Sequence, residues 1–189
     1  DGGEAFVLGE DIGRLSPREL SAFRLRQIGF VFQRYHLIRG LNAVENVQVP
    51  MKLLSVTESA SRQRAEDLLV SLGLDQQLGS NPANLSMGQC QRVAIARALA
   101  NDPRLILADE PTASLDAENG RRVMQLLRDI AKSQGRTVVV VTHDSRIFQY
   151  ADELYWLENG MLRRMPAERP TVPASDAIAS VLPNLPITT

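Results

Sequence analysis

The sequence predicts an α/β domain built on a parallel sheet. Two continuous apolar runs, residues 105–108 and 137–142, are typical of strands that are buried on both faces. The segment between them carries apolar side chains at helical spacing, so the order strand, helix, strand indicates a right-handed crossover unit. The apolar positions of that helix are Val123, Leu126, Leu127 and Ile130, and we expect the helix to end near Gly135.

Two shorter strands and one helix are predicted before this unit. Residues 4–8 and 28–32 form short apolar runs that are typical of strands. Between them, Ser16 is a suitable N-cap, Pro17 occupies the first helical position, and Glu19 is placed to complete a capping box.

Residues 34–85 are more polar and predict a helical subdomain. Its clearest helix is followed by Gly73, a residue that commonly ends helices. Asn81-Pro82 predicts a loop, and residues 89–100 predict an alanine-rich helix suited to close packing. The apolar side chains at helical spacing in the subdomain are Ala65, Leu68, Leu69 and Leu72.

The C-terminal part predicts a hairpin and then a tail. Residues 154–157 and 161–163 flank Glu158-Asn159-Gly160, which is a hairpin signal. Residues 166–189 are rich in Pro, Ser, Thr and Ala without periodicity, so we expect a disordered tail after a domain over residues 1–165.

Composition excludes several classes of protein. The 189 residues carry a formal net charge of -1, which does not indicate a nucleic-acid partner. The single cysteine, Cys90, excludes an internal disulfide framework. No apolar run approaches the roughly 20 residues of a membrane-spanning helix. Residue 1 is Asp rather than Met, so we expect a fragment or a processed product.

Four residues before a predicted helix could bind an anion. Ser86, Met87, Gly88 and Gln89 precede an alanine-rich helix, and free backbone N–H groups at a helix N-terminus attract phosphate. A capping serine and a loop glycine would explain this segment equally well.

Three acidic residues and a histidine lie where predicted strands end or where a predicted helix starts. Asp109 and Glu110 end a buried strand, where open α/β sheets place ligands, so one could hold Mg²⁺ and the other could accept a proton from water. Asp116 is a good helix N-cap. His143 ends another strand and could donate to a terminal phosphate. Each position has a plain structural explanation when it is taken alone.

The order and spacing of these segments resemble the ABC ATPase family from about residue 1 to about residue 165. The most specific stretches are Leu-Ser-x-Gly-Gln from Leu85, Gln-Arg-Val-Ala-Ile-Ala-Arg-Ala-Leu from Gln91, and Ala-Asp-Glu-Pro-Thr-Ala-x-Leu-Asp from Ala108. A chance match over that length is negligible. The resemblance implies a P-loop-NTPase-like ATPase domain with a helical subdomain, working with ATP and Mg²⁺.

The resemblance also implies a role for each matched position. Ser86 to Gln89 match the signature motif, which contacts the γ-phosphate held by a partner subunit in a dimer of ATPase domains. Asp109 matches the Walker B ligand of Mg²⁺, and Glu110 matches the general base. The remaining matches are Gln33 as the Q-loop glutamine that senses Mg²⁺ and the attacking water, Asp116 in the D-loop, and His143 as the switch histidine.

The sequence departs from the family pattern in two ways. Met87 stands where the commonest signature has Gly, and backbone contacts there do not require a particular side chain. The phosphate loop Gly-x-x-x-x-Gly-Lys-[Ser/Thr] is not found, because no glycine in the chain is followed by lysine. The family places that loop, with a central strand and its helix, before residue 1. We therefore expect an N-terminally truncated domain that neither binds ATP tightly nor hydrolyses it.

Three functions compete. One is a transporter ATPase that drives a separate integral membrane subunit at the cytoplasmic face of the inner membrane. A second is an ABC ATPase that acts on DNA or ribosomes, but residues 34–85 leave no room for a coiled coil and only one signature is present. A third is a non-catalytic or truncated form. Residues 28–33 and 41–47 resemble the exporter branch that includes ATPases for lipoprotein release, macrolide export and heterocyst glycolipid export, so we expect an exporter.

Overall fold

The predicted α/β class is confirmed by the order of the helices and strands. The computed structural model describes residues 2–165 and 179–180. The helices are α1 (Pro17–Gln27), α2 (Ala43–Leu53), α3 (Glu58–Ser71), α4 (Met87–Leu99) and α5 (Ala117–Gln134), with short 3₁₀ helices at Asp75–Gln77, Pro82–Asn84 and Ser145–Tyr150. The strands are β1 (Phe6–Val7), β2 (Glu10–Asp11), β3 (Ile28–Val31), β4 (Leu105–Asp109), β5 (Thr137–Thr142), β6 (Tyr155–Glu158), β7 (Met161–Arg164) and β8 (Ala179–Ser180).

The main sheet has the strand order β3-β4-β5-β8-β6-β7. The first three strands are parallel, with Val31 opposite Ala108 and Asp109 opposite Val141. Strand β8 runs antiparallel to both β5 and β6. Because β3, β4 and β5 are parallel neighbours, their carboxyl ends lie at the same edge of the sheet.

Helix α4 packs closely on β3, and a glycine makes this approach possible. A Cβ atom added at Gly29 would clash with the carbonyl oxygen of Ala98 and lie 3.2 Å from the ring of Pro103. Most of α4 is buried, including Val93 and Ile95, which are completely inaccessible to solvent. Helix α4 thus contacts β3 closely at Ala98, and the sheet together with α2, α3 and α5 buries most of its length.

Residues 34–85 contain α2 and α3, which pack against each other, and Val47 and Leu69 belong to the buried core. A buried polar contact joins the two helices, since Gln48 Nε2 donates to Ser61 Oγ at 3.0 Å. The segment begins with a loop over residues 34–42 rather than with a helix. The predicted helix end at Gly73 is confirmed, because α3 stops at Ser71 and Gly73 has φ 68°.

Local sequence signals placed two other features correctly. Ser16 caps α1, accepting from the backbone of Glu19, whose carboxylate accepts in return from the Ser16 N–H. The β6–β7 hairpin turns through Asn159 (φ 49°) and Gly160 (φ 77°), the left-handed pair that two-residue hairpin loops prefer.

Two features were not predicted. Residues 4–8 form only the two-residue strand β1, which pairs with the unpredicted β2. The prediction of a disordered tail over residues 166–189 falls largely outside the described residues. At Ala179–Ser180 the structure differs from it, because these two residues form β8 between β5 and β6. A two-residue strand leaves no recognisable pattern in the local sequence, because it forms by pairing with β5 and β6.

Nowhere in residues 2–165 or 179–180 does a helix combine the length and the apolar character needed to cross a membrane.

Candidate active site

Four of the predicted site residues follow the carboxyl ends of three adjacent strands. Gln33 comes two residues after β3, Asp109 and Glu110 end and follow β4, and His143 follows β5. The parallel register brings these ends to one edge of the sheet. The four residues therefore share this edge, and their chemical roles stay predictions.

Glu110 has an unusual backbone conformation. Its φ is 44°, in the left-handed region, and it is followed by Pro111. A non-glycine residue rarely adopts this conformation, and strain of this kind is held only where surrounding contacts fix it. Two contacts do so here: the Glu110 N–H donates to Val141 O at 2.9 Å, and Gln91 Nε2 donates to Pro111 O at 2.8 Å.

The side chain of Glu110 is held by the end of β5. Its Oε2 accepts from the Thr142 hydroxyl at 3.0 Å, and its Oε1 accepts from the His143 backbone N–H at 2.9 Å. The His143 Nδ1 lies 2.5 Å from the same Oε1. Thr142 is almost fully buried, whereas the His143 side chain is 69% exposed. The carboxylate is thus oriented by a buried hydroxyl on one side and by a solvent-facing imidazole on the other.

Asp109 fits the donor chemistry of a magnesium site. It is exposed at the end of β4, and its carboxylate has no hydrogen-bond or ion-pair partner in residues 2–165. No group of three or more His, Cys, Asp or Glu side chains in the described part of the chain could hold a metal ion by itself. Mg²⁺ in phosphate-handling sites commonly takes one or two carboxylates together with water and substrate oxygens, so a single free carboxylate suits it.

Gln33 is exposed, and its backbone contacts a neighbouring loop. The Ser114 hydroxyl donates to Gln33 O at 3.4 Å. The structure shows no hydrogen bond between the Gln33 side chain and Glu110 or Asp109. Gln33 therefore shares this edge of the sheet with Asp109 and Glu110 without a side-chain hydrogen bond to either.

The signature residues lie at the start of α4. Ser86 is the N-cap: its hydroxyl accepts from the Gln89 N–H at 3.2 Å, and Gln89 Oε1 accepts from the Ser86 N–H at 2.8 Å. This is a complete capping box, so helix capping accounts for both side chains. The side chain of Met87 points into solvent, with 59% of the residue exposed.

Gly88 connects the signature residues to the loop that contains Asp116. A Cβ atom added at Gly88 would lie 2.9 Å from Asn119 Oδ1. Asn119 in turn donates to Asp116 from its backbone at 2.9 Å and from its side chain at 2.6 Å. These hydrogen bonds from Asn119 hold the pKa of Asp116 below its ordinary value. Asn119 thus joins the signature residues to Asp116.

Three contributors to these sites were not identified from the sequence as site residues: Gln91, Thr142 and Asn119. Gln91 is completely buried in α4, and a glutamine among Ala, Val and Ile is the one signal that could have indicated a specific polar contact. Nothing in the local sequence around Thr142 or Asn119 indicates their partners.

The ABC transporter family matches residues 1–113 of this chain. The macrolide export ATP-binding/permease protein MacB of Haemophilus ducreyi is 46% identical over 160 residues, covering 85% of this chain and 23% of the relative. A MacB 1/2 protein of Paracoccus denitrificans is 46% identical over 169 residues, covering 89% of this chain and 25% of the relative. The chain therefore spans about a quarter of the length of these curated relatives.

Solved structures agree with the fold. The dimeric structure of MJ0796, a bacterial ABC transporter cassette, matches with a TM-score of 0.77 and 38% identity, covering 88% of this chain and 75% of the cassette. A dimeric post-hydrolysis state of the same cassette, bound to ADP and Pi, matches equally well. The motifs, the arrangement of the parallel strands and these similarities lead to one conclusion: the chain belongs to the ABC transporter family.

Proposed function

We propose that this chain forms part of the ATP-hydrolysing domain of an ABC exporter. The observation that carries the proposal is the convergence of Gln33, Asp109, Glu110 and His143 at the carboxyl edge of β3, β4 and β5. The similarity to MacB proteins supports export as the direction of transport. The transported substrate is not part of the proposal.

Glu110 acts as the general base in this proposal. Its carboxylate is anchored by Thr142 and His143, so it can accept a proton from a water molecule aligned for attack without first finding its orientation. His143 remains exposed beyond Glu110, and the imidazolium form of its ring has a second N–H that can donate to a terminal phosphate while Nδ1–H donates to Glu110. The pair would therefore orient both the attacking water and the group under attack.

Asp109 is the residue that would hold Mg²⁺, with Gln33 facing the same edge. A bound Mg²⁺ supplies charge neutralisation for the phosphate oxygens.

Asp109→Asn should abolish Mg²⁺-dependent phosphate release in a chain that also carries a phosphate loop. Asp129→Asn, an exposed position on α5, is the matched control. Equal activity in the Asp109 variant and its parent would contradict the assignment.

The signature residues would act on a second copy of the ATPase domain. Ser86 and Met87 are exposed at the start of α4, so they are free to meet another molecule. The matched cassette is dimeric in its solved structures. Sedimentation of the Glu110→Gln variant with ATP, again in a chain carrying a phosphate loop, tests this point. A strictly monomeric species would contradict it.

A cleft beside α2 is the proposed docking place for a membrane subunit, at the cytoplasmic face of the inner membrane. The cleft has a volume of about 490 Å³ and combines apolar Phe32 and Leu53 with basic Arg24 and Arg97. Leu53 is 68% exposed. A Leu53→Cys variant should crosslink to the membrane subunit of the full transporter. Crosslinks that form only from positions outside this cleft would contradict the location.

The 189 residues alone are proposed to be inactive. Phosphoryl transfer depends on holding the β- and γ-phosphates, and the chain contains no Gly-Lys pair to do so. Glu110 and His143 would then lack a positioned substrate.

A further inference from the structure

The turn that follows Gln33 is strained. Tyr35 has φ 60° and His36 has φ 48°, so two consecutive residues with Cβ atoms adopt the left-handed conformation. Such residues visit this region rarely, and almost always singly. Within the turn, the His36 N–H donates to Arg34 O at 2.6 Å and the His36 ring lies 4.9 Å from the Phe32 ring. A conformation of this kind persists only where the surroundings hold it.

Arg97 supplies that support from α4. Its Nη2 donates to Tyr35 O and its Nη1 donates to His36 O, both at 2.6 Å. The guanidinium group thus binds the two carbonyls of the two left-handed residues, across more than sixty positions of sequence. No carboxylate pairs with Arg97 in the described ranges, so these carbonyls are its main polar partners. A planar fork with several donors suits this geometry, which a lysine cannot reproduce.

The same helix begins with the signature residues. Ser86 caps α4 at one end, and Arg97 lies near the other end, close to the last residue Leu99. The helix is continuous from Met87 to Leu99, so its backbone hydrogen bonds connect the two ends. A displacement of the signature residues would therefore be carried to the carbonyls of Tyr35 and His36, and from there to Gln33 two residues earlier.

We propose that Arg97 is a positioning residue that fixes the Gln33 turn to the signature helix, so that the two move together. In a dimer, nucleotide contacts at Ser86 to Gln89 of one copy would then set the position of Gln33 in that same copy. The functional consequence rests on the proposed ATPase activity. The mechanical connection does not, and it can be measured separately.

Arg92 provides a matched control. It lies on the same helix, and its Nη1 donates to Leu72 O at 3.1 Å and approaches Gly73 O at 3.4 Å. Like Arg97, it binds two consecutive backbone carbonyls, but they belong to the end of α3 rather than to the Gln33 turn. Its Nε also approaches Gly88 O at 3.4 Å, so Arg92 is a control for the turn and not for the signature residues. Replacing either arginine by lysine keeps the charge and removes the fork.

The first experiment is amide hydrogen exchange in a chain that carries a phosphate loop, with the fold of each variant checked by circular dichroism. Arg97→Lys should accelerate exchange at Tyr35, His36 and Leu37 roughly tenfold, the change expected for one lost hydrogen bond of a charged donor. Arg92→Lys should leave these amides unchanged. Arg97→Gln serves as a second variant should the lysine variant fail to fold. Unchanged exchange in the folded Arg97 variant would overturn the connection.

The second experiment is a double-mutant cycle on ATP hydrolysis in the same protein. Arg97→Lys should lower kcat and leave the KM for ATP nearly unchanged, and it should have no further effect in a Gln33→Ala background. Arg64→Lys should leave kcat at the parent value, because Arg64 Nε donates to Ala100 O at 2.6 Å and contacts neither the turn nor the signature residues. Additive effects of the Gln33 and Arg97 variants would overturn the positioning role. A parent without ATPase activity would instead refute the proposed function, while the exchange result would still decide whether the connection exists.

Discussion

The carboxylate of Glu110 lies 2.5 Å from Nδ1 of His143, although the two residues are 33 positions apart. The contact exists because β4 and β5 are parallel neighbours whose ends coincide, with Asp109 opposite Val141. The Glu110 backbone is left-handed at this point, and Glu110 rather than Asp109 has side-chain contacts with Thr142 and His143. The two adjacent carboxylates therefore have different surroundings. Glu110 is bound by Thr142 and His143, and Asp109 has no side-chain partner in residues 2–165.

The first prediction concerns the chemical role of Glu110. Glu110→Gln keeps the size of the side chain and removes its ability to accept a proton from water. In a chain that carries a phosphate loop, hydrolysis should fall by roughly 10²-fold or more, the usual cost of losing a general base, while ATP binding is retained. Steady-state phosphate release and equilibrium binding of ATP measure the two quantities. Glu158→Gln, on the exposed β6–β7 hairpin, is the control, and parent-like hydrolysis by Glu110→Gln would refute the role.

The second prediction concerns the anchor of that carboxylate. Thr142 donates to Glu110 and also accepts from the Asp144 N–H at 3.0 Å, so Thr142→Val leaves two groups without a partner. We expect the free energy of unfolding to fall by about 1–3 kcal/mol. Urea denaturation measures it, with Thr137→Val at the other end of the same strand as the control. Equal losses in the two variants would show that the hydroxyl of Thr142 has no special contribution.

The third prediction concerns the packing of α4 on β3. Gly29→Ala places a methyl group against the backbone of Ala98, which cannot move without displacing α4. Overpacking of this kind costs about 1–3 kcal/mol of stability. Gly79→Ala is the control, because no atom lies within 4 Å of its added Cβ. A Gly29→Ala variant as stable as the Gly79 control would mean that α4 does not lie this close to β3.

The fourth prediction concerns pH. The hydrogen bond from Arg146 holds the pKa of the Asp144 carboxyl below its ordinary value, although partial burial acts in the opposite direction. Because the folded pKa is the lower one, the contribution of Asp144 to stability is present above the unfolded pKa. It is lost as the pH falls through the folded pKa.

Asp144→Asn keeps an acceptor for the Arg146 N–H and removes this titration. Thermal melts between neutral and strongly acidic pH should show a smaller acid-induced loss of stability in the variant than in the parent. Identical slopes in this range would contradict the ion pair. The measurement needs no nucleotide, so it is independent of the proposed activity.

The sequence allowed prediction of the elements that local pattern determines. The runs at 105–108 and 137–142 are long enough to identify buried strands, and Ser16 with Glu19 or Asn159 with Gly160 fix a cap and a turn through neighbouring residues alone. The family motifs then indicated which strand ends carry the candidate site residues.

Features that depend on distant contacts could not be predicted. The left-handed backbone of Glu110 arises from hydrogen bonds to β5 and to Gln91, and its side-chain partners come from a strand that starts 27 residues later. The strain at Tyr35 and His36 is likewise visible only with Arg97 in place. Propensity scales describe neither, because the favourable contacts lie far away in sequence.

We propose that Gln33, Asp109, Glu110 and His143 form an ATP-hydrolysing site, and that this site needs a phosphate loop to work. The most direct measurement compares Mg²⁺-dependent phosphate release by the 189-residue chain with release by the same chain joined to a phosphate-loop segment. We expect no activity above background in the first protein, and in the second we expect turnover that is lost on Glu110→Gln. Comparable activity in the two proteins, or turnover that survives Glu110→Gln, would contradict it.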